Sequence, residues 1–257
     1  ADGEVVALTR QCAECGFVRA LADGSLPKAN FQGYVAQDKF FLEAFCHAYA
    51  LALGACADTE GMRALCEGGP HSSWSPAARP RVTQSCGGPH GMTARSSSSR
   101  PTAAPECSGP HTRSPVRSGS LIAGVLEELE LHKSYAAKWD VSLDGISPVA
   151  ACAAYVDFLL VTAKAGDVAS CATAMAPCMR LYAHLGQALK VAGGDAGAYS
   201  EWVDTYADPG FEGLAATLER LVDKYAGAAG AERRAELRAL YVKAMQLELA
   251  FFEAWSP

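Results

Sequence analysis

Apolar residues recur at steps of three and four along most of this chain, and that spacing restricts its fold more than any other feature. The most regular stripe comprises Cys171, Met175, Cys178, Tyr182, Leu185 and Leu189. This period matches one face of an α-helix. No stretch alternates convincingly between apolar and polar residues, as a half-buried strand does. The sequence therefore predicts an all-α protein, a bundle of long helices in one domain.

Glycine and proline predict where several of the helices begin and end. We expect a first helix over residues 4–21 and a second that begins at Pro27. Cys178 follows Pro177, and proline suits the first turn of a helix because its missing N–H would have no partner there. The sequence thus predicts a helix start at Pro177 and a helix end near Gly193.

Residues 68–118 differ in composition from the rest of the chain. They hold 8 of the 13 prolines and 11 serines, and they show no apolar periodicity. Such a composition cannot bury enough surface to fold. We therefore predict a helical domain over residues 1–67 and 119–257, with a disordered Ser/Pro/Gly/Arg-rich insertion at 68–118.

Charge and cysteine content limit the partners and the compartment. The chain carries a net charge of −6, although residues 68–118 hold six arginines, no lysine and one acid. The acidic remainder argues against nucleic acid as a main partner. No apolar run reaches the length of a membrane helix. The chain has ten cysteines, many of them on apolar helical stripes, which is typical of reduced intracellular thiols. We expect a cytoplasmic protein, or a mitochondrial or plastid one if a targeting segment is missing.

Cys178 is a candidate nucleophile. At a helix N-terminus, unpaired N–H groups and the macrodipole would favour its thiolate. Tyr182 would lie one turn above the sulfur on the same helical face. The alternative is a small buried core residue, which is the commoner fate of a free cysteine.

Two carboxylates interrupt aromatic stripes. Asp38 lies among Phe31, Tyr34, Phe41 and Phe45, and Glu248 lies in the last helical stripe, between Met245 and Phe252. A buried carboxylate must be paired, hydrogen-bonded or used, because an unpartnered buried charge is very costly. Either a structural ion pair or a functional acid fits this pattern.

Glu128 and His132 are one helical turn apart. The pair could be half of a carboxylate–histidine metal site. A buried histidine held by a glutamate is the more frequent meaning, and no second Glu-x-x-His follows.

Five short motifs resemble the TenA/thiaminase II family in their order and spacing. They are YVAQDKFFL at 34–42, EELELH at 127–132, PCMRLY at 177–182, WVDTY at 202–206 and ELAFF at 248–252. The chain is most similar to the plant and algal branch, in which such a domain is joined to a haloacid-dehalogenase-type phosphatase. No part of these 257 residues resembles that phosphatase, so we expect no phosphatase activity from them. The resemblance implies a haem-oxygenase-like helical bundle that is usually a homo-oligomer and uses no metal or other cofactor.

The resemblance also implies roles for individual residues. Cys178 matches the nucleophile, Glu248 the acid that protonates the leaving group, and Asp38 the carboxylate that binds the aminopyrimidine edge. The pocket-lining tyrosines are matched by Tyr155, Tyr182 and Tyr206. Phe41 departs from the bacterial pattern, where a tyrosine often lies near the nucleophile, so one hydroxyl is missing from the predicted substrate-binding set.

The implied function is hydrolysis of aminomethyl-pyrimidine to hydroxymethyl-pyrimidine and ammonia in thiamine salvage, with thiamine cleavage as a related activity. Cysteine addition to an electron-poor ring and proton donation by a carboxylic acid fit that chemistry. The partner is then a small-molecule aminopyrimidine or thiamine-derived substrate, not a nucleic acid or a membrane. Two alternatives stay open: a non-catalytic pyrimidine-binding or scaffold module, and a di-metal oxygenase on a similar bundle, which rests only on Glu128 and His132.

Overall fold

The computed structural model describes residues 2–66, 121–165 and 167–257, and within these ranges the chain is all-α, without a β-strand. The helices are α1 (Gly3–Glu14), α2 (Gly16–Ala22), α3 (Lys28–Ala55), α4 (Thr59–Cys66), α5 (Leu121–Lys138), α6 (Ala150–Lys164), α7 (Val168–Ala192), α8 (Ser200–Tyr206), α9 (Pro209–Gly227) and α10 (Ala231–Glu253). The predicted fold class is confirmed. The predicted insertion at 68–118 lies outside the described residues and stays a prediction.

The helix α7 is the centre of the bundle and packs against α3, α6, α8, α9 and α10. It begins earlier than predicted, since the Asp167 side chain caps it by accepting a hydrogen bond from the Ala169 N–H. Pro177 lies inside the helix, and the prediction of a helix start there is wrong. An interior proline removes one backbone hydrogen bond, a loss that tertiary packing on all sides of α7 offsets. The predicted end is confirmed: Gly193 closes the helix in the left-handed region, at φ 66°.

The first predicted helix, over 4–21, is in fact two helices with a break at Cys15, whose ψ of 158° is extended. The C-terminal end of the chain fills this break. The Phe17 N–H donates to the Ser256 hydroxyl at 3.0 Å, and a Cβ on Gly16 would stand 3.0 Å from the Ser256 Cβ. The apolar pattern could not reveal this break because its cause is a contact between opposite ends of the sequence.

The helices α3 and α5 run antiparallel, and two side-chain contacts fix their register. The Gln32 amide donates to the Trp139 carbonyl at 2.7 Å, and His132 Nε2 donates to the Val35 carbonyl at 2.6 Å. One turn further along α3 and one turn back along α5, this register brings Asp38 opposite Glu128.

A close helix contact positions the aromatic end of α8. A Cβ on Gly186 of α7 would lie only 2.4 Å from the Tyr206 carbonyl carbon and 2.6 Å from the Ala207 nitrogen. Only glycine permits this approach, which brings the Tyr206 ring beside Tyr182, with ring centroids 4.8 Å apart. Across the described ranges, no helix combines the length and the apolar character that membrane crossing requires.

Candidate active site

One cavity is lined by five of the seven predicted site residues, which come from the three helices α3, α7 and α8. Its wall includes Asp38, Phe41, Cys178, Tyr182 and Tyr206. A second cavity is lined by Asp38, Glu128 and Tyr206 as well, and extends towards Tyr34, Trp202 and Tyr135. The two cavities therefore meet at Asp38, Glu128 and Tyr206. The remaining predicted residues, Tyr155 and Glu248, are not among the residues that line these two cavities; they contact each other, and Glu248 also interacts with the Cys178 thiol.

Cys178 lies in the middle of α7 and is only 9% exposed, with that exposure directed into the first cavity. Burial raises the pKa of its thiol well above the usual value, and the nearby carboxyls of Glu248, Glu128 and Asp38 act in the same direction. The predicted thiolate at a helix N-terminus is therefore wrong. The group is a neutral thiol in the resting protein, so its activation requires a base.

Among the neighbouring carboxyls, Glu248 raises the pKa of the Cys178 thiol the most. It is completely buried, and the Tyr155 hydroxyl donates to its Oε1 at 2.7 Å. Burial raises the pKa of Glu248 to about 7, while Tyr155 and the Cys178 thiol lower it. Its other oxygen, Oε2, is buried and accepts no hydrogen bond of standard geometry from the described residues. Near neutral pH, Glu248 can therefore both accept and give a proton.

Asp38 lines the same cavity as Cys178. It is 8% exposed, it borders both cavities, and no described residue forms a hydrogen bond or an ion pair with it. Burial raises the pKa of Asp38 to about 7. An unpartnered carboxyl in a cavity wall is free to bind a ligand.

Glu128 belongs to the same wall, although sequence reasoning placed it only in the metal alternative. The Tyr206 hydroxyl donates to Glu128 Oε1 at 3.0 Å. Burial, and then the neighbouring charge of Asp38, raise the pKa of Glu128 to about 8. Its position three residues after Val125 and four before His132, both buried, was the signal for an inward-facing side chain.

Aromatic rings fill the space around these groups. The Trp202 indole N–H donates to the Tyr34 hydroxyl at 3.2 Å, which in turn donates to the Tyr182 hydroxyl at 3.4 Å. Phe41 packs edge-on against Tyr155, with centroids 4.6 Å apart. A flat heteroaromatic ring is suited to such walls.

Metal ligands do not converge in the described part of the chain, where no group of three or more His, Cys, Asp or Glu side chains could hold an ion. His132 instead contacts the Val35 carbonyl, and Glu128 contacts Tyr206. The di-metal oxygenase alternative therefore has no set of metal ligands among the described residues.

These features define a class: haem-oxygenase-like helical proteins with an enclosed small-molecule site, here one that combines a cysteine with several carboxyls. The chain belongs to the TENA/THI-4/PQQC family, whose model matches residues 4–68 and 110–256. The predicted family is therefore confirmed.

Relatives and solved structures agree with that assignment. The chain is 27% identical over 261 residues to the mitochondrial bifunctional TH2 protein of Arabidopsis thaliana, covering 93% of this chain but 34% of that protein. It is 24% identical to the aminopyrimidine aminohydrolase of Halalkalibacterium halodurans, covering 92% of this chain and 85% of that enzyme. A crystal structure from Silicibacter sp. TM1040, described as a TenA family transcription regulator, superposes with a TM-score of 0.70 at 24% identity, covering 100% and 93% of the two chains. The last likeness shows the fold alone.

Proposed function

We propose that this protein is an aminopyrimidine aminohydrolase of the thiaminase II type, which converts aminomethyl-pyrimidine and water to hydroxymethyl-pyrimidine and ammonia. The observation that carries the proposal is the position of Cys178 and Asp38 in the wall of one aromatic cavity, with Glu248 beside the sulfur. The similarity to a bacterial aminopyrimidine aminohydrolase along most of both chains supports it.

In this proposal the reaction begins with transfer of the Cys178 proton to Glu248. The thiolate then adds to the ring carbon next to the one bearing the aminomethyl group. Because the resting thiol is neutral, an acceptor must be close, and the unpartnered Oε2 of Glu248 fits that role. The Tyr155 hydroxyl holds the carboxyl in place through Oε1.

The second half of the reaction returns the proton. Electrons of the sulfur adduct form a double bond to the exocyclic methylene as the C–N bond breaks, and the departing amine takes the proton from Glu248. Water then adds to the methylene, its proton leaves, and the sulfur is expelled to restore the aromatic ring and the Cys178 thiol. One carboxyl with a pKa near neutrality can serve as base and then as acid.

Asp38 binds the edge of the pyrimidine in this scheme, while Phe41, Tyr182 and Tyr206 surround the ring. Phe41 provides a ring for stacking but no hydroxyl. In this scheme Glu248 is therefore the group that accepts the proton of the Cys178 thiol. Thiamine cleavage by the same steps is a related activity. We also infer a homo-oligomer and an intracellular site of action; the second inference is supported by the eight described cysteines, all of which are free.

Release of ammonia from aminomethyl-pyrimidine by the purified chain tests the proposal. We expect turnover that is lost in Cys178→Ser. Binding of the pyrimidine without ammonia release in the wild-type protein would instead indicate the non-catalytic binding module, and absence of both would contradict any role in pyrimidine chemistry.

A further inference from the structure

The inference concerns Glu128, a partly buried acid in the cavity wall that the proposed mechanism does not use. Its partner is Asp38, which is more than nine-tenths buried, has no partner among the described residues and faces the two cavities that Glu128 also lines. The contact between His132 and Val35 fixes the helix register that brings the two acids opposite each other. Two carboxyls in one cavity wall require an explanation, because like charges oppose each other there.

An aminopyrimidine edge has two unlike groups, an amino group that donates and a ring nitrogen that accepts. A lone carboxylate only accepts, so it satisfies the amino group and leaves the ring nitrogen without a donor. A protonated carboxyl supplies the missing O–H. The edge is therefore matched by two acids that hold one proton between them.

We propose that Asp38 and Glu128 form such a one-proton carboxyl pair and that Glu128 is a substrate-binding residue of this site. The ionised member accepts the amino N–H, and the protonated member donates its O–H to the ring nitrogen. The Tyr206 hydroxyl donates to Glu128 Oε1 and lowers the pKa of Glu128, but burial and the charge of Asp38 outweigh this contact, so the proton of the pair lies on Glu128 and Asp38 is the ionised member. This inference rests on the proposed function, since it specifies how the same site recognises its substrate.

The protonation behaviour of the pair is consistent with this. Burial raises the pKa of Asp38 to about 7 and that of Glu128 to about 8, so the pair retains a proton near neutrality. The other ionisable groups that interact with the pair are Tyr34, Cys46 and Tyr49 on α3, Cys152 on α6, Cys178 and Tyr182 on α7, Tyr206 on α8 and Glu248 on α10. All of these are acids, and none of the described lysines or arginines is among the groups that shift either pKa.

The test measures binding of hydroxymethyl-pyrimidine, the product, by calorimetry between pH 7.5 and pH 9 in the Cys178→Ser protein, where chemistry is absent. Above both pKa values the pair is ionised, so affinity should fall by about fivefold between pH 8 and pH 9, as the protonated fraction of a group with a pKa of about 8 drops from about one half to about one tenth. Runs in two buffers of different ionisation enthalpy should show uptake of about one proton on binding at pH 9.

Glu128→Gln is the decisive variant. A glutamine amide supplies a donor without any titratable proton, so affinity should stay within about threefold of the parent at pH 7.5 and become nearly independent of pH up to 9. Asp38→Asn should likewise make the affinity for hydroxymethyl-pyrimidine nearly independent of pH. This second variant keeps the test possible if Glu128→Gln does not fold. Glu130→Gln is the matched control, because Glu130 lies on the same helix but at the surface, where it pairs with Lys133.

The outcomes separate the inference from the proposed function. A fall in affinity of about fivefold between pH 8 and pH 9 that persists in both Glu128→Gln and Asp38→Asn, as in Glu130→Gln, would overturn the carboxyl pair and leave the proposed function standing. Failure of the Cys178→Ser protein to bind hydroxymethyl-pyrimidine at any pH would overturn the proposed function, and the inference with it.

Discussion

The cysteine side of the site, where Glu248 lies beside Cys178, and the aspartate side, where Asp38 and Glu128 line the cavity, both contain carboxyls whose pKa values are raised by burial, yet their surroundings differ. Glu248 accepts a hydrogen bond from Tyr155 and interacts with the Cys178 thiol. Asp38 has no partner among the described residues and faces open cavity together with Glu128. Glu248 is thus a proton acceptor held beside the Cys178 thiol, whereas the carboxyl oxygens of Asp38 are left to form hydrogen bonds with a ligand. The cysteine side is thus built for proton transfer, and the aspartate side for recognition.

The two sides also require opposite protonation states. Proton transfer from Cys178 needs Glu248 in its ionised form, which predominates above a pKa of about 7. Recognition by Asp38 and Glu128 needs at least one proton on the pair, which is lost above a pKa of about 8. The comparison therefore predicts an activity maximum confined to a narrow range near neutral pH.

The largest expected effect is on the cysteine side. Cys178→Ser should lower turnover by at least about a thousandfold while binding of hydroxymethyl-pyrimidine survives, because a hydroxyl of similar size is a far poorer nucleophile. Ammonia release and calorimetry measure the two properties. Cys171→Ser, a buried cysteine of the same helix whose thiol donates to the Ala48 carbonyl, is the control and should retain most activity. Equal losses in the two variants would make Cys178 a packing residue.

Glu248→Gln should come next, with kcat reduced by about a hundredfold or more and substrate binding nearly unchanged. Glutamine keeps the shape of the side chain but neither accepts the thiol proton nor gives it to the amine. Steady-state kinetics separate kcat from KM.

Asp38→Asn should change KM more than kcat. If Asp38→Asn instead lowered mainly kcat and Glu248→Gln raised mainly KM, the proposed division of roles would be reversed.

How far the sequence predicted this site differs between its two sides. Cys178 was a candidate because it lies on an apolar helical stripe, and Asp38 and Glu248 because each is a carboxylate within an aromatic stripe. Helical periodicity is a local property, so a single segment of sequence is enough to reveal such residues. The environment of Cys178 was not predictable: Pro177 suggested a helix start, but packing around α7 retains the proline inside the helix. Glu128 was missed as a binding residue because its proximity to Asp38 depends on the register of α3 against α5, which no single segment contains.

A smaller effect should follow from Tyr155→Phe. The tyrosine hydroxyl donates to Glu248 Oε1 and lowers the pKa of that carboxyl. Its removal should reduce kcat by about tenfold and move the rising limb of the pH–rate profile upward, because Glu248 would then ionise at higher pH. Tyr182→Phe is a comparison on the recognition side, since the Tyr182 hydroxyl contacts Tyr34 instead. An unchanged rising limb in Tyr155→Phe would show that Glu248 is not the base.

The last prediction concerns stability and needs no substrate. The pKa of Asp38 is about 7 in the folded protein and near 3.8 when exposed, so the folded state binds more protons between these values. The wild-type protein should therefore lose unfolding free energy as pH rises from about 4 to about 7, by on the order of 1 kcal/mol per pH unit for this group, with no further loss above that. Asp38→Asn removes the titration, and any constant cost of burying the amide cancels when one variant is compared with itself at two pH values. Urea unfolding at pH 4.5 and 7.5 should then show a smaller decline for Asp38→Asn than for the wild type, whereas the exposed Glu130→Gln control should decline in parallel with it. The same decline in all three proteins would mean that Asp38 is solvated in the folded state, and the contrast between a partnered Glu248 and an unpartnered, buried Asp38 would no longer hold.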